Sequence, residues 1–168
     1  MTTNTCHTAS IITAPSRFAL SLTHMLCDDI EPAKFADRQG TTINHPAFVL
    51  GHCAYYAGVC IEILGGTVEF GQGEADLYKH GSECKDDASL YLDKDACMAH
   101  FEARCNAAAD FIESCDSDVL ETTADGTPFE KRFGTLGAIA SFMLIGHPCF
   151  HIGQISAWRR VAGMGPAS

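Results

Sequence analysis

The chain has 168 residues, of which 46% are hydrophobic and only 19% are charged, which suits one packed domain and not a disordered chain. Its formal net charge of −10 argues against nucleic acid and against an anionic membrane surface as partners, because both attract basic faces. The start of the chain lacks the basic and apolar regions of a secretory signal, and no stretch is expected to be apolar enough to span a membrane. We therefore expect a cytoplasmic protein with a single domain over 1–168 and a small molecule as its substrate.

Four segments carry the 3.6-residue hydrophobic period that is typical of amphipathic helices. The predicted helices cover about 15–28, 46–64, 94–115 and 135–162. Residues 1–14 are expected to form an N-terminal tail, because Pro15 suits the first turn of a helix, where its missing N–H is no loss. Asn44 or His45 is expected to cap the second helix, and Asp93 the third.

Two long connections, 65–93 and 116–134, separate these helices. Neither is predicted to link separate domains, because the helices that flank them need one another to bury their apolar stripes. Within the second connection, Asp125-Gly126 favours a short hairpin. The sequence therefore predicts an all-α fold, a single four-helix bundle with two long crossover loops.

The nine cysteines show no C-x-x-C pair, the spacing of common zinc and redox sites. Most stand among alanines and aliphatic residues, so we expect free, buried thiols that pack as small hydrophobic side chains. The alternative is a reactive or metal-binding thiol. Cys149 is the nearest candidate for that role, because it lies between His147 and His151.

Three of the eight histidines lie on apolar helix faces and are predicted to bind a metal. His147 and His151 are four residues apart, a spacing that stacks both imidazoles on one face. His52 lies near the middle of the apolar face of the second helix, beside Gly51, which lets another helix come close. A buried imidazole without a partner costs about 1–3 kcal/mol, whereas one ion satisfies all three. Three histidines with an open fourth position are typical of a catalytic site.

The other histidines are assigned different roles. His45 is expected to cap its helix or to lie near the site, and the rest are expected to be structural or solvated. Pro148, inside the last helix, predicts a kink beside His147.

The motifs of other kinds of catalytic site are absent from the sequence. No glutamate stands three residues before a histidine, as di-iron bundles need, and no H-E-x-x-H, P-loop or nucleophile elbow occurs.

Two further side chains are candidates for orienting a ligand at this site. Gln154 lies one turn beyond His151 on the same face. Tyr55, like Tyr56, lies about one turn past His52, where one of the two tyrosines faces the pocket. The alternative for both tyrosines is a place in the core or at its rim, and no general base is evident.

Two stretches, "NHPAFVLGHCAYY" at 44–56 and "HPCFHIGQISAWRRVAG" at 147–163, resemble the DinB-like (YfiT-like) superfamily of metalloenzymes. That family has one metal-binding histidine in an aromatic-x-x-G-H stretch of its second helix and an H-x-x-x-H-x-G-Q run in its last helix. The resemblance covers the whole chain in helix order and loop lengths. This sequence differs from the family pattern in two ways. It has a phenylalanine where an indole is common in the second helix, and Pro148 follows the first histidine of the run. The matching positions are Phe48, Gly51 and His52, then His147, His151, Gly153 and Gln154.

The resemblance implies a four-helix bundle with a divalent metal, usually nickel or zinc, held by three histidines and water. Some relatives are thiol-dependent S-transferases or isomerases that use glutathione-like thiols, mycothiol or bacillithiol. The resemblance therefore also implies a low-molecular-weight thiol as a cofactor. The rival interpretation is a non-catalytic binding or interaction protein on the same bundle, with a structural metal or none.

The chain is also expected to form a homodimer. In the second helix, Gly51 and Gly58 leave room for a neighbouring helix, and pairing through helix faces is what the resemblance implies. The small residues of the second helix are the sequence signal for this contact.

Overall fold

The computed structural model describes residues 7–167, and the regular secondary structure of these residues is helical, which confirms the predicted all-α class. The helices are α1 (His7–Cys27), α2 (Pro46–Ile63), α3 (Glu74–Tyr78), α4 (Lys94–Ser114), α5 (Ser117–Glu121), α6 (Leu136–Ser141) and α7 (His147–Val161). A π-helical turn, Phe142–Gly146, joins α6 to α7. Within residues 7–167 no strand occurs, and the predicted hairpin is limited to an isolated antiparallel bridge between Thr123 and Thr135.

The first helix begins earlier than the sequence predicts. Residues 7–14, expected in an N-terminal tail, are helical, and the first six residues of that tail lie outside the described part of the chain. Ala9 and Ile12 are buried, so the apolar stripe of α1 extends upstream of Pro15. Pro15 removes the backbone bond to the carbonyl of Ile11, but both residues are exposed, so water can satisfy that carbonyl.

The starts of α2 and α4 are fixed by predicted caps. His45, fully buried, accepts the Phe48 N–H through Nδ1 at 3.1 Å, and its Nε2 lies 3.1 Å from the Lys85 carbonyl oxygen. Both ring nitrogens of His45 are therefore used within the fold, at the start of α2. Asp93 accepts the Ala96 N–H at 2.9 Å and caps α4.

Helix α2 lies at the centre of the packing. It contacts α3, α4 and α7, and α1 packs against α4 and α7. Side chains are buried along most of α2, among them Phe48, Leu50 and Ile61, because a helix surrounded by other elements is apolar on nearly all sides. His52 lies midway along α2 and meets the start of α7.

The second half of α7 is anchored by polar contacts to the last turn of α1 and to the connection between α1 and α2. Trp158 donates its indole N–H to the Asp37 carbonyl at 2.7 Å. Arg159, 1% exposed, donates to the Leu26 carbonyl and to the Asp29 carboxylate, each at 2.8 Å. The hydrogen bond from Arg159 also holds the pKa of the Asp29 carboxyl below its usual range. These bonds limit the rotation of α7 about its axis and so help to aim its histidines.

Two helical segments are long and apolar enough to cross a membrane, contrary to the expectation from the sequence. They are Pro46–Ile63 and the continuous segment Leu136–Val161. Inside the protein, 72% of the first segment and 39% of the second are buried. Core helices of globular domains have the same length and composition, so this finding does not place the chain in a membrane.

The glycines of α2 face the interior of this chain. A Cβ on Gly51 would lie 2.2 Å from the Tyr78 ring, and a Cβ on Gly58 would lie 2.7 Å from the Phe70 ring. Both glycines therefore make room for side chains of the 65–93 connection. This corrects their interpretation as contact points of a dimer.

Replacing Gly51 with alanine is expected to lower the free energy of unfolding by about 1–3 kcal/mol, because the new methyl group must displace the Tyr78 ring. Gly153→Ala is the matched control, since Gly153 is also helical and an added Cβ there meets nothing within 4 Å. For the control we expect a gain of up to about 1 kcal/mol from helix propensity. Urea unfolding measures both, and equal stabilities would contradict the close approach of Tyr78 to α2.

Candidate metal centre

His52 is held in one tautomer by a backbone carbonyl. Its side chain is 7% exposed, and Nδ1 lies 2.6 Å from the carbonyl oxygen of Tyr78, the last residue of α3. A carbonyl only accepts hydrogen bonds, so Nδ1 carries the proton and Nε2 presents its lone pair. A metal-binding histidine usually makes such a hydrogen bond through the ring nitrogen that does not bind the metal.

The Nε2 atom of His52 faces the two histidines of α7. Nε2 of His52 and Nε2 of His147 are 3.0 Å apart, and the centroid of the His151 ring lies 4.5 Å from the centroid of each other ring. One ring nitrogen of each histidine lies within 4.8 Å of the others. Two nitrogens bound to one zinc ion at 2.0–2.1 Å are about 3.4 Å apart, so small ring rotations let all three share an ion. The structure thus brings together the histidines that the sequence singles out.

The backbone before His147 sets the position of its ring. The His147 N–H bonds to the Phe142 carbonyl, five residues earlier, which defines the π turn. Pro148 has no N–H to donate to the carbonyl of Leu144. This missing bond falls next to the π turn, where the backbone already departs from the regular α-helical bonding pattern. The local irregularity next to Pro148 is therefore a π turn, which shifts the position of His147 around the helix relative to α6.

Burial keeps the three imidazoles neutral. It lowers the pKa of His52 to about 4 and the pKa of His147 to about 3, and the proximity of His151 adds to both shifts. Burial also lowers the pKa of His151, while a hydrogen bond to Gln154 acts in the opposite direction. Nδ1 of His147 and Nδ1 of His151 are buried without a hydrogen-bond partner among the described residues. Neutral imidazoles that the surrounding protein leaves partly unsatisfied suit a metal ion, which needs unprotonated nitrogen ligands.

Gln154 links His151 to the start of α2. Its Oε1 accepts from Nδ2 of Asn44 at 3.1 Å, and its proximity opposes the lowering of the pKa of His151. Asn44, considered from the sequence as a helix cap, instead holds this glutamine. Gln154 is therefore held beside the cluster by the start of α2.

Tyr56, and not Tyr55, is the tyrosine beside the histidines. The centroid of its ring lies 4.9 Å from that of His52 and 5.0 Å from that of His147. Tyr55 packs on Phe70 instead, with ring centroids 5.1 Å apart. Tyr56 is four positions after His52 and so lies on the same helix face. Tyr55, one position earlier than Tyr56, is turned away from it by about 100° around the helix axis. This position corrects the choice of Tyr55 as a candidate site residue.

The cysteines stay outside the cluster. Those that the structure describes are free, and Cys149, the candidate from the sequence, is exposed. Among the described residues, the group of side chains that can hold a metal contains histidines alone. Burial raises the pKa of Cys60 and of Cys97 to about 12, so these thiols stay protonated and unreactive. Cys6 lies outside the described residues.

An open cavity of about 780 Å³ lies on the other side of Tyr78. Its walls include Gly51, the Tyr78 ring, Glu74 and His100, and His100 lies 3.4 Å from the buried carboxylate of Glu74. The three clustered histidines do not line it. The cavity therefore borders the metal centre at Tyr78, whose carbonyl contacts His52, and at Gly51, the residue before His52.

One contributor to the centre does not follow from the sequence reasoning, whereas Tyr56 was considered there beside Tyr55. The Tyr78 carbonyl stands 26 residues from His52, and no sequence signal marks it, because every residue carries a carbonyl. Tyr56 does carry a signal, namely its spacing of four residues from His52, which places both side chains on one face.

Comparisons with known proteins give no relative from which to assign a function. A scan against protein-family models and searches of curated proteins and of solved structures found no match. The chemistry of the centre has to be inferred from its own residues.

Lowering the pH is expected to destabilise the metal-free protein through these histidines. The pKa of His52 is about 6.5 in an unfolded chain and about 4 in the folded protein, so the unfolded state takes up the proton first. This stabilisation is complete above about pH 6.5 and is lost as the pH falls toward 4. At about 1.4 kcal/mol per pKa unit, His52 alone contributes roughly 2 kcal/mol between about pH 7.5 and 5, measurable by urea unfolding with a chelator present.

His52→Gln removes the titrating group and is expected to flatten this pH dependence. His7→Gln, at the exposed start of α1, is the matched control and keeps the wild-type profile. An unchanged profile in His52→Gln would show that burial does not lower the pKa of His52.

Proposed function

We propose that the protein is a metal-dependent enzyme of the DinB-like class, in which His52, His147 and His151 bind nickel or zinc. The observation that carries the proposal is the 3.0 Å approach of Nε2 of His52 to Nε2 of His147, with the His151 ring beside both. Imidazole nitrogens suit both metals. Neutral, buried rings also avoid the proton release that would otherwise oppose metal binding.

The packing of the long helices supports the four-helix bundle that belongs to this proposal. Helix α2 contacts α4 and α7, and α1 contacts the same two helices. The order α1, α4, α2, α7 therefore closes a ring around a shared core. The connections 65–93 and 116–134 are the crossover loops of this bundle.

The exposure of the centre supports a catalytic role. His147 and His151 are only partly buried, so solvent reaches the cluster from α7. Structural zinc sites are closed by four protein ligands, whereas this group offers three among the described residues. One coordination position is thus left for a small molecule.

The proposed reaction is a thiol-dependent transfer or isomerisation of a small electrophile. A bound divalent metal supplies a Lewis acid, which lowers the pKa of a coordinated thiol or water toward neutrality. The Tyr78 carbonyl orients the His52 imidazole, and Gln154 lies one turn beyond His151 on the same helix. The Tyr56 hydroxyl accepts the His80 N–H at 2.8 Å, which leaves its own proton available for a hydrogen bond to a ligand. The resemblance to DinB-like thiol enzymes supports the choice of a low-molecular-weight thiol as cofactor.

A second candidate is a non-catalytic binding protein on the same bundle, with a structural metal or none. The cavity of about 780 Å³ favours it, because this volume does not reach the three histidines. For either candidate we propose a cytoplasmic location. The free cysteines of the described residues support this location, since thiols stay reduced there.

His151→Ala is expected to weaken zinc and nickel binding by more than about 100-fold, since even the loss of an outer hydrogen bond to a ligand costs 10- to 100-fold. His100→Ala is the matched control and is expected to bind both metals as the wild type does, because His100 lies outside the cluster. Competition with a chromophoric chelator measures both affinities. Equal affinities of the two variants would refute the assignment of the ligands.

Turnover separates the enzyme from the binding protein. Metal-loaded wild-type protein is tested with several low-molecular-weight thiols against a panel of small electrophiles, followed by loss of free thiol. We expect thiol consumption that requires both the metal and His147, so that His147→Ala is inactive although folded. Stoichiometric metal binding without turnover for any thiol would favour the non-catalytic candidate.

A further inference from the structure

The cavity beside Tyr78, here called the Tyr78 cavity, has the size and the apolar walls of a small-molecule site. Its volume of about 780 Å³ lies within the range of about 300–1,000 Å³ that ligand pockets occupy. Gly51, the 65–93 connection and α4 contribute to its walls. Leu90 and Leu92 also line it and are 50% and 48% exposed, so two large apolar side chains stand at its opening. A ligand with an apolar body would cover them.

One oxygen of a buried carboxylate in the wall is left without a close partner. The side chain of Glu74 is 8% exposed, and its Oε2 accepts the Gly71 N–H at 2.7 Å. Its Oε1 lies 3.4 Å from Nε2 of His100, which is longer than an ordinary N–H···O bond. The Arg104 guanidinium is 3.9 Å from Oε2. Among the described residues Oε1 therefore has no short hydrogen bond, although a buried carboxylate is costly without them.

The cationic side chains of the wall are already engaged. The guanidinium of Arg104 lies over the ring of Phe70, 5.1 Å from its centroid. Lys85 pairs with Glu83 at 2.9 Å. The 65–93 connection as a whole carries seven acidic residues and only two lysines. The wall that this connection forms is therefore negative, which attracts cations and repels anions.

Aromatic rings stand beside the carboxylate. Tyr78 and Tyr91 both line the cavity, and their ring centroids are 6.4 Å apart. Burial raises the pKa of the Tyr78 phenol, and the charge of Glu74 adds to this shift, so the carboxylate acts on this ring. The negative faces of aromatic rings attract a cation that comes within about 6 Å of the centroid.

We propose that the Tyr78 cavity binds a small organic cation, an ammonium group on an aromatic or alkyl body. The ammonium donates to Oε1 of Glu74, and the body packs on the two tyrosine rings and under the leucines of the opening. An anionic ligand would meet the Glu74 charge while the nearby cations are engaged. A neutral ligand would leave that charge as it is. The three clustered histidines do not line this cavity, so the site does not depend on the proposed metal chemistry.

Three probes of nearly equal shape and different charge test the proposal, namely phenethylamine, phenethyl alcohol and phenylacetate. They are titrated into the full chain at pH 7, where the amine is protonated, and binding is followed by NMR chemical shifts. A chelator is present, so that coordination of the amine to a metal ion cannot mimic binding in the cavity. We expect phenethylamine to bind with a dissociation constant of about 1 mM or lower, the alcohol at least about 10-fold more weakly, and phenylacetate not at all.

Glu74→Gln removes the charge and keeps the shape of the side chain. We expect it to weaken phenethylamine binding by at least about 10-fold, the effect of losing a hydrogen bond to a charged group, and to leave binding of the alcohol unchanged. Glu121→Gln is the matched control, because Glu121 is exposed and lies outside the cavity, so this variant loses the same charge without effect. Circular dichroism confirms that both variants fold.

A pair of variants at the opening keeps the proposal testable if Glu74→Gln does not fold. Leu90 is half exposed, so Leu90→Lys and Leu90→Glu are both expected to fold. We expect phenethylamine to bind at least about 3-fold more weakly to Leu90→Lys than to Leu90→Glu, the effect of one screened contact between unit charges, and the alcohol to bind both equally.

Three results would overturn the proposal. The first is equal affinity of the wild type for phenethylamine and for the alcohol, or no saturable binding of the amine up to about 10 mM. The second is preferred binding of phenylacetate, which would make the cavity an anion site. The third is binding of a lysine-rich peptide through Glu74 without binding of the small amine, which would indicate a protein partner instead.

Discussion

The hydrogen bond from His52 to the Tyr78 carbonyl is the interaction on which the metal centre depends. At 2.6 Å it fixes the proton on Nδ1 and turns the Nε2 lone pair toward α7. It requires α3 to lie close against α2, and Gly51 makes this possible, because any Cβ there would overlap the Tyr78 ring. The absence of a side chain at Gly51 therefore lets α3 pack closely enough against α2 for the Tyr78 carbonyl to orient His52.

The other half of the centre is aimed by constraints at both ends of α7. Before it, the π turn lengthens the backbone ladder and removes the conflict that Pro148 would cause in a regular helix. Near its end, Trp158 bonds to the Asp37 carbonyl in the connection that follows α1, and Arg159 bonds to the Leu26 carbonyl in the last turn of α1. His147 and His151 lie between these two points and approach His52, although neither Nδ1 atom has a hydrogen-bond partner among the described residues.

The sequence predicted those features that depend on periodicity or on local capping. The spacing of His147 and His151 predicted a shared face, and Asp93 predicted the start of α4, because both effects act within one helical turn. It failed where distant segments decide the outcome. Pro15 was taken for a helix start, although the burial of upstream residues extends α1, and nothing in the sequence pointed to the Tyr78 carbonyl.

The charge of the ligands bears on the proposed binding of an anionic thiolate at this centre. Three neutral histidines leave the full double charge of a divalent ion uncompensated, whereas each carboxylate ligand would cancel part of it. The acidic residues all lie between Asp28 and Glu130, and α7, which supplies two of the three imidazoles, has none. Among the described residues, no aspartate or glutamate belongs to the group of side chains that can hold a metal. A thiolate entering that position would meet the charge of the metal first, which is the electrostatic condition that the proposed thiol chemistry needs.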